Sequence, residues 1–276
     1  MVHVVTDSAA NLPADLADEL GIRVVPLHLT IGDRVFRDGV DIGMQDFYAQ
    51  LQSPGQIAST SAPSPGDFLE AFRAIPEGED VVCVTVAADV SATYQSARGA
   101  AQEEGRRIEL VDSANASMAE GFVAVEAARL ARAGAATEEV AARAKEVARR
   151  CQILATIDTF EFLKRSGRVR RAQAYAATML NIKPVFRFRH GDADGIGRPR
   201  TRSRAMDRIV RETVEEASGR PVHLAAFHAL AEPDAKELVR RVEAEGDVVE
   251  SYVVEATPVI GAHTGPGLVG TAFFCD

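Results

Sequence analysis

Residues 80–117 read DVVCVTVAADVSATYQSARGAAQEEGRRIELVDSANAS, and this stretch decides the fold. Val81–Val86 is a continuous apolar run, the pattern of a strand buried on both faces. Ala92–Glu104 reads as a helix and Arg107–Val111 as a second strand. Two Ala-rich helices follow, Ser117–Arg132 and Thr137–Arg150. Strands alternating with helices form a parallel sheet covered by those helices.

Working toward the N-terminus, Pro65–Ala74 is a helix with Ser64 as N-cap, Pro65 at the first position and Asp67 two residues later. Met44–Leu51 is a short helix. Ile22–Ile31 and Arg34–Phe36 flank a Gly32-Asp33 turn as a hairpin. Pro13–Leu20 is a helix stopped by Gly21, and Val2–Val5 is a strand. Working toward the C-terminus, Gln152–Ile157 is a strand, and Thr159–Arg165 and Ala172–Leu180 are helical. Lys183–Arg189 and Gly197–Arg202 form a hairpin around the turn His190–Gly195. Helix Ser203–Ser218, strand Pro221–His228, helix Glu232–Glu245 and strand Val248–Ala256 complete the pattern before a Gly-rich loop and a closing strand. The expected class is therefore α/β. A mostly parallel sheet occupies the N-terminal half and a mixed sheet with helices the C-terminal half. The boundary falls near Arg150–Ile157, giving domains 1–155 and 156–276.

Composition narrows the function classes. The chain has 276 residues, 46% apolar and 26% charged, which excludes a disordered or fibrous protein. A net charge of −9 excludes a generic nucleic-acid binder. Cys83, Cys151 and Cys275 are odd in number and far apart, so neither a disulfide framework nor a CxxC zinc pattern is available. The six histidines show no zinc spacing either, and no metal is expected. The first residues lack a basic start and a signal-length apolar run. The longest uncharged stretch, Ala256–Cys275, holds Pro258, Pro266 and four glycines, which no membrane helix tolerates when exposed to lipid. A cytoplasmic protein is expected.

Four features have the residue types for binding or chemistry. Ser59–Ser64 places Thr60 and Ser61 ahead of a helix start, where unpaired N–H groups and hydroxyls together seat an anion. Ser64 is explained as a cap; Thr60 and Ser61 lie too early for that role. Ser91 sits at a second helix start at the carboxyl edge of the sheet, where a cap and a ligand donor are both open readings. Gly261–Gly270 presents His263 and Thr264 on a loop; its Gly265-x-Gly267-x-x-Gly270 matches a dinucleotide fingerprint, but only six residues follow, too few for the required helix and strand. Glu161–Arg211 carries fourteen Lys/Arg against four Asp/Glu, a local +10. That excess fits either a surface balanced by acidic neighbours or an anionic partner such as an acidic protein face or membrane. A weak echo, Thr6-Asp7-Ser8 and Val111-Asp112-Ser113, is read as turn capping.

Together these motifs resemble the DegV family of fatty-acid-binding proteins. The resemblance rests on Val5-Thr6-Asp7-Ser8, Thr60-Ser61-x-Pro63-Ser64, Ser91-x-Thr93-Tyr94-Gln95-Ser96-Ala97, Val111-Asp112-Ser113, Lys164-Arg165-Ser166-Gly167-Arg168, Asn181-Ile182-Lys183-Pro184 and Gly261-x-His263-Thr264-Gly265-Pro266-Gly267, in order along nearly the whole chain. Ala62 stands where the family usually has Gln, and Ala92 where it usually has Gly. The resemblance implies a tunnel between the two domains holding one long-chain fatty acid, with no other cofactor. It implies a carboxylate held at Thr60, Ser91 and His263, beside Ser61 and Thr264. It also implies a bacterial carrier without chemistry of its own. Such a carrier presents the acid to a separate fatty acid kinase, whose acyl-phosphate product goes to phospholipid synthesis. Arg168 and Arg202 would then face that kinase or, transiently, an anionic membrane surface. Nothing in the sequence demands more than a monomer, and no nucleic-acid partner is expected. The rival from another class is a serine hydrolase or acyltransferase using Ser91, His263 and Asp7, although no GxSxG elbow is present.

Overall fold

The computed structural model describes residues 1–51, 57–167 and 182–276. The decisive run becomes β6 (Asp80–Thr85), flanked by β1 (Val2–Asp7) and β7 (Ile108–Asp112), with β2 (Arg23–Val25) on the outer side of β1. All three pairings are parallel. β6 has two buried faces, as its unbroken apolar run requires. Val81 and Cys83 pack with Phe68, Phe72 and Ala97 of helices α3 (Pro65–Arg73) and α4 (Thr93–Glu104). Val82 and Val84 pack on the other side with α5 (Ser117–Arg132).

The second half is a mixed sheet in the order β10 (Asp192–Gly197), β9 (Val185–Arg189), β8 (Gln152–Thr156), β13 (Val269–Cys275), β11 (Val222–His228), β12 (Val248–Glu255). Only β11 and β12 run parallel. Its far face is covered by α8 (Arg202–Ala217) and α9 (Glu232–Glu245), where Ile209, Leu224, Leu238 and Phe273 are buried. Its near face meets α5, which lies between the two sheets. Met118, Ala119, Phe122, Val123, Ala124 and Val125 are therefore all fully buried. A helix apolar on every side needs such a place. Helices α1 (Ala14–Leu20), α2 (Met44–Leu51), α6 (Thr137–Arg150) and α7 (Glu161–Ser166) complete the described layers.

The structure departs from the sequence reading in several places, among them the strand expected at Gly197–Arg202, since β10 ends at Gly197 and α8 begins at Arg202. Ile22–Ile31 is not one strand. Pro26 has no N–H for a ladder, and the chain leaves the parallel sheet there to form β3 (His28–Ile31). With β4 (Arg34–Arg37) and β5 (Ala58–Ser61), β3 builds a separate antiparallel sheet. The turn expected at His190–Gly195 is shorter: His190 and Gly191, at φ 53° and 76°, make a two-residue turn, and β10 already begins at Asp192. Two positive φ values match the strand twist of a tight hairpin. The segment presenting His263 is not a loop but the helix α10 (Pro258–Thr264). Pro258 opens it, and Gly261 permits close packing on α2, where an added Cβ would lie 2.8 Å from the Met44 sulfur. The helix expected over 172–180 lies outside the described residues.

Among the described residues, cations of the basic segment are paired with acids. Lys183 pairs with Asp158 at 2.6 Å, Arg187 with Glu212 at 3.0 Å and Arg208 with Glu212 at 2.6 Å.

Candidate functional site

A cavity of about 1190 Å³ lies between the halves, at the carboxyl ends of β1, β6 and β7. Ligands of open α/β sheets collect at that edge because the loops there leave room between the layers. Ala9, Val86 and Ala116 form part of the wall from the first half. Ile153, Ala155, Phe186, Phe188 and Phe227 form an apolar wall from the second sheet. Among the described residues no Lys or Arg lines it; its carboxylates are Asp89 and Asp192, on loop 86–92 and the β9–β10 hairpin.

Thr60, Ser61, Ser91, His263 and Thr264 all line this cavity. Their settings differ from those expected of helix starts. Thr60 and Ser61 stand on β5, where Thr60 pairs opposite the fully buried Leu29 of β3. His263 and Thr264 end α10. Only Ser91 precedes a long helix, α4, held in a turn by its N–H to the Ala87 carbonyl at 3.2 Å. Thr60 Oγ1 and His263 Nε2 lie 2.8 Å apart, joining the two halves. Ser91 Oγ lies 2.7 Å from Thr93 Oγ1 and accepts the Thr93 N–H at 3.3 Å. The Thr264 hydroxyl donates to the Ile260 carbonyl at 2.8 Å, so its proton is committed within its helix.

This arrangement suits an acceptor-only ligand. With His263 Nε2–H donating to Thr60, the Thr60 hydroxyl is left to donate into the cavity. With Thr93 donating to Ser91, the Ser91 hydroxyl does the same. In that arrangement the two hydroxyls are able to present two protons to an oxygen anion, and charge-assisted bonds of this kind are the strong ones.

Beneath the wall lies a buried carboxyl group cluster. Asp7 accepts the N–H groups of Ala9 at 3.0 Å and Val86 at 2.9 Å. Burial pushes Asp7 up to about 7 against the pull of those donors. Glu120 accepts the Thr6 hydroxyl at 3.2 Å and is raised well above the usual carboxylate range, first by burial and then by the charge of Asp7. Asp38 is raised by burial as well.

Thr93 behind Ser91 went unassigned in the sequence. Its signal was the spacing Ser91-x-Thr93, which reads equally as part of a cap. The apolar wall had a clearer signal, the period-two pairs Ile153/Ala155 and Phe186/Phe188, but which face of the strand looked into a cavity depended on the second sheet. Arg168 lies outside the described residues. Arg202 is tied internally, with Nε 2.7 Å from Asp234, Nη1 3.3 Å from Asp158 and a further bond to the Gly267 carbonyl. No helix among the described residues is long and apolar enough to cross a membrane, and no cluster there has the makings of a metal site.

Comparison with known proteins adds the following. The family model described as "Uncharacterised protein, DegV family" matches residues 1–276. A DegV domain-containing protein of Streptomyces coelicolor is 35% identical over 272 residues, 98% of this chain and 96% of that one. A DegV family protein of Thermus thermophilus, whose structure is described by its fatty acid binding, superposes with a TM-score of 0.95 at 34% identity, covering 100% of this chain and 99% of that one. DegV of Bacillus subtilis, described as a fatty acid binding protein, gives 0.90 at 27% identity with 100% and 99% covered.

Proposed function

The chain belongs to the DegV family, and from that premise we propose that it carries one long-chain fatty acid in the cavity between its halves. The observation that carries this reading is that the Thr60 and Ser91 hydroxyls, 2.8 Å from His263 Nε2 and 2.7 Å from Thr93 Oγ1, both line a cavity with a largely apolar wall and no Lys or Arg among its described residues. The carboxylate sits at these hydroxyls, with Ser61, His263 and Thr264 around it. The acyl chain lies along Ile153, Phe186, Phe188 and Phe227, each buried CH₂ contributing about 0.8 kcal/mol. A carboxylate in an apolar cleft is costly unless donors meet it, and the two hydroxyls with the imidazole provide them.

The protein acts as a carrier, without a covalent step of its own. The rival hydrolase has no support in the relatives, and the geometry does not favour it: His263 Nε2 meets Thr60, and the Asp7 carboxylate is taken by backbone N–H groups. The finer reading, implied by the family resemblance, is that the loaded protein presents its carboxylate to a separate ATP-dependent kinase. Arg168→Glu is expected to spare fatty-acid binding and to weaken that coupling; equal loss of both would contradict it.

Mass spectrometry tests the carrier directly. Protein purified without added lipid should show extra mass of fatty-acid size under native conditions and none after denaturation. A clean apo mass, with no uptake of added palmitate or oleate, would end the reading.

A further inference from the structure

The helix that carries His263 is held from the wrong side of the molecule. In sequence α10 lies between β12 and β13, so it belongs to the second half. Its own N-cap residue, Thr257, makes no side-chain capping bond. The cap comes instead from Asp38, whose Oδ1 accepts the Val259 N–H at 2.9 Å. Asp38 is itself fixed, with Oδ2 accepting the Ser8 hydroxyl at 2.7 Å. The Ser8 oxygen in turn accepts the Leu27 N–H at 3.0 Å. One turn along α10, the Tyr48 hydroxyl donates to the Gly261 carbonyl at 3.0 Å. Just ahead of α10, the Asn11 side chain donates to the Glu255 carbonyl at 3.2 Å. At the far end His263 meets Thr60. Each bond to α10 or to the strand before it comes from a first-half side chain.

Neither Asp38 nor Tyr48 lines the cavity. We propose that Asp38 and Tyr48 are positioning residues: from the first half they set the height and rotation of α10, and so decide whether His263 and Thr60 meet as a pair at the ligand's carboxylate. Two bonds to the backbone, at residues 259 and 261, fix a short rigid body at two points. The remaining freedom is rotation about the line between them, and the His263–Thr60 contact closes it. Without either grip the imidazole drifts from Thr60, and the Thr60 hydroxyl loses the donor that aims its own proton into the cavity. Burial of the acyl chain does not depend on that alignment.

This inference rests on the carrier reading, and one experiment separates the two. Binding of palmitate and of hexadecanol is measured by calorimetry for the natural protein, Tyr48→Phe and Asp38→Asn. The two ligands share a chain length and differ in the charged head. Natural protein that binds palmitate upholds the carrier reading; binding of neither ligand overturns that reading and this one together. Tyr48→Phe, which removes a single oxygen, is expected to weaken palmitate about tenfold, the loss of one well-placed hydrogen bond, and to leave hexadecanol within about twofold. Asp38→Asn is expected to do the same; if it does not fold, Tyr48→Phe decides alone. Equal losses for acid and alcohol would show a merely structural role, and unchanged binding of both would show none; either result overturns the proposal.

Discussion

The two halves of this protein meet along two seams of opposite character, and α5 runs through both. From Phe122 to Arg129 the seam is solid. Phe122 packs edge-on against Phe274 with centroids 5.5 Å apart, and Phe274 stacks on His223 at 4.2 Å. Around that stack Glu250 accepts from Arg129 at 2.6 Å, lies 2.6 Å from His223 Nδ1 and accepts the Tyr252 hydroxyl at 2.7 Å. At the N-terminal end of the same helix, Ala116 and Ser117 face the cavity and the seam is hollow. There, beside the packing of α10 on α2, single hydrogen bonds join the halves around the cavity: Asp38 to Val259, Tyr48 to Gly261, Thr60 to His263, and the Gly191 N–H to the Ala114 carbonyl at 2.7 Å. One seam supplies cohesion between the halves. The other supplies room, and directional bonds add to the packing of α10 on α2 in keeping its shape.

The comparison can be broken most sharply at Phe122. Phe122→Ala removes the centre of the solid seam and is expected to cost about 3–5 kcal/mol of stability. Fatty-acid affinity measured well below the lowered melting temperature should stay within about threefold, because the hollow seam is untouched. An affinity loss matching the stability loss, read by calorimetry, would show the two seams to be one unit. Glu250→Gln is the next largest. It leaves Arg129 with Glu126 alone and His223 with Asp276 alone, and should cost about 1–3 kcal/mol in chemical denaturation.

The seams should also answer pH differently. Burial raises Asp7, beneath the hollow seam, to about 7 in the folded protein. The folded state therefore holds this proton more tightly than the unfolded chain. The stabilisation is complete at acid pH and is lost as pH rises through 7. Denaturation curves should show stability falling between pH 5 and pH 8; Glu120 and Asp38, raised by the same burial, add to the slope, so Asp7→Asn should reduce it without abolishing it. In the solid seam, burial pushes Glu250 upward but the bonds from Arg129, His223 and Tyr252 prevail and hold it well below the usual range. Its own contribution is lost only as pH falls below the usual carboxylate range, so Glu250→Gln should leave the part of the pH 5–8 slope that comes from the buried acids and reduce only the part that comes from His223, which Glu250 holds upward. The smallest expected effect is Ser91→Ala. It should weaken fatty-acid binding by about 1.5 kcal/mol, roughly tenfold, with the melting temperature of ligand-free protein nearly unchanged. A large melting shift with unaltered affinity would make Ser91 a helix cap and nothing more.

Much of this architecture was legible in the residues. Helices Ser117–Arg132, Thr137–Arg150 and Glu232–Glu245 have the bounds their periodicity and flanking residues imply. Ser64 with Asp67 forms the capping box their spacing announced. β5 was hidden because Ala58–Ser61 has neither apolar alternation nor aromatic residues; it is a strand because β3 offers it an edge. β10 was hidden because Asp192–Gly197 is polar and Gly-rich, and pairing with β9 makes it a strand. The helix at His263 was hidden by its glycines, whose local preference yields to packing against α2.

By itself, then, the sequence determined the local elements, the two-sided burial of β6 and the set of hydroxyl and imidazole residues at the site, because periodicity, caps and residue chemistry act over a few positions. Tertiary structure alone decided that Thr60 meets His263 across 203 positions, that Asp38 caps a helix 221 positions away and that the seam beside α5 is full at one end and empty at the other. Those outcomes depend on how two sheets stack on one helix, and no local pattern encodes the distance between surfaces that only folding brings together.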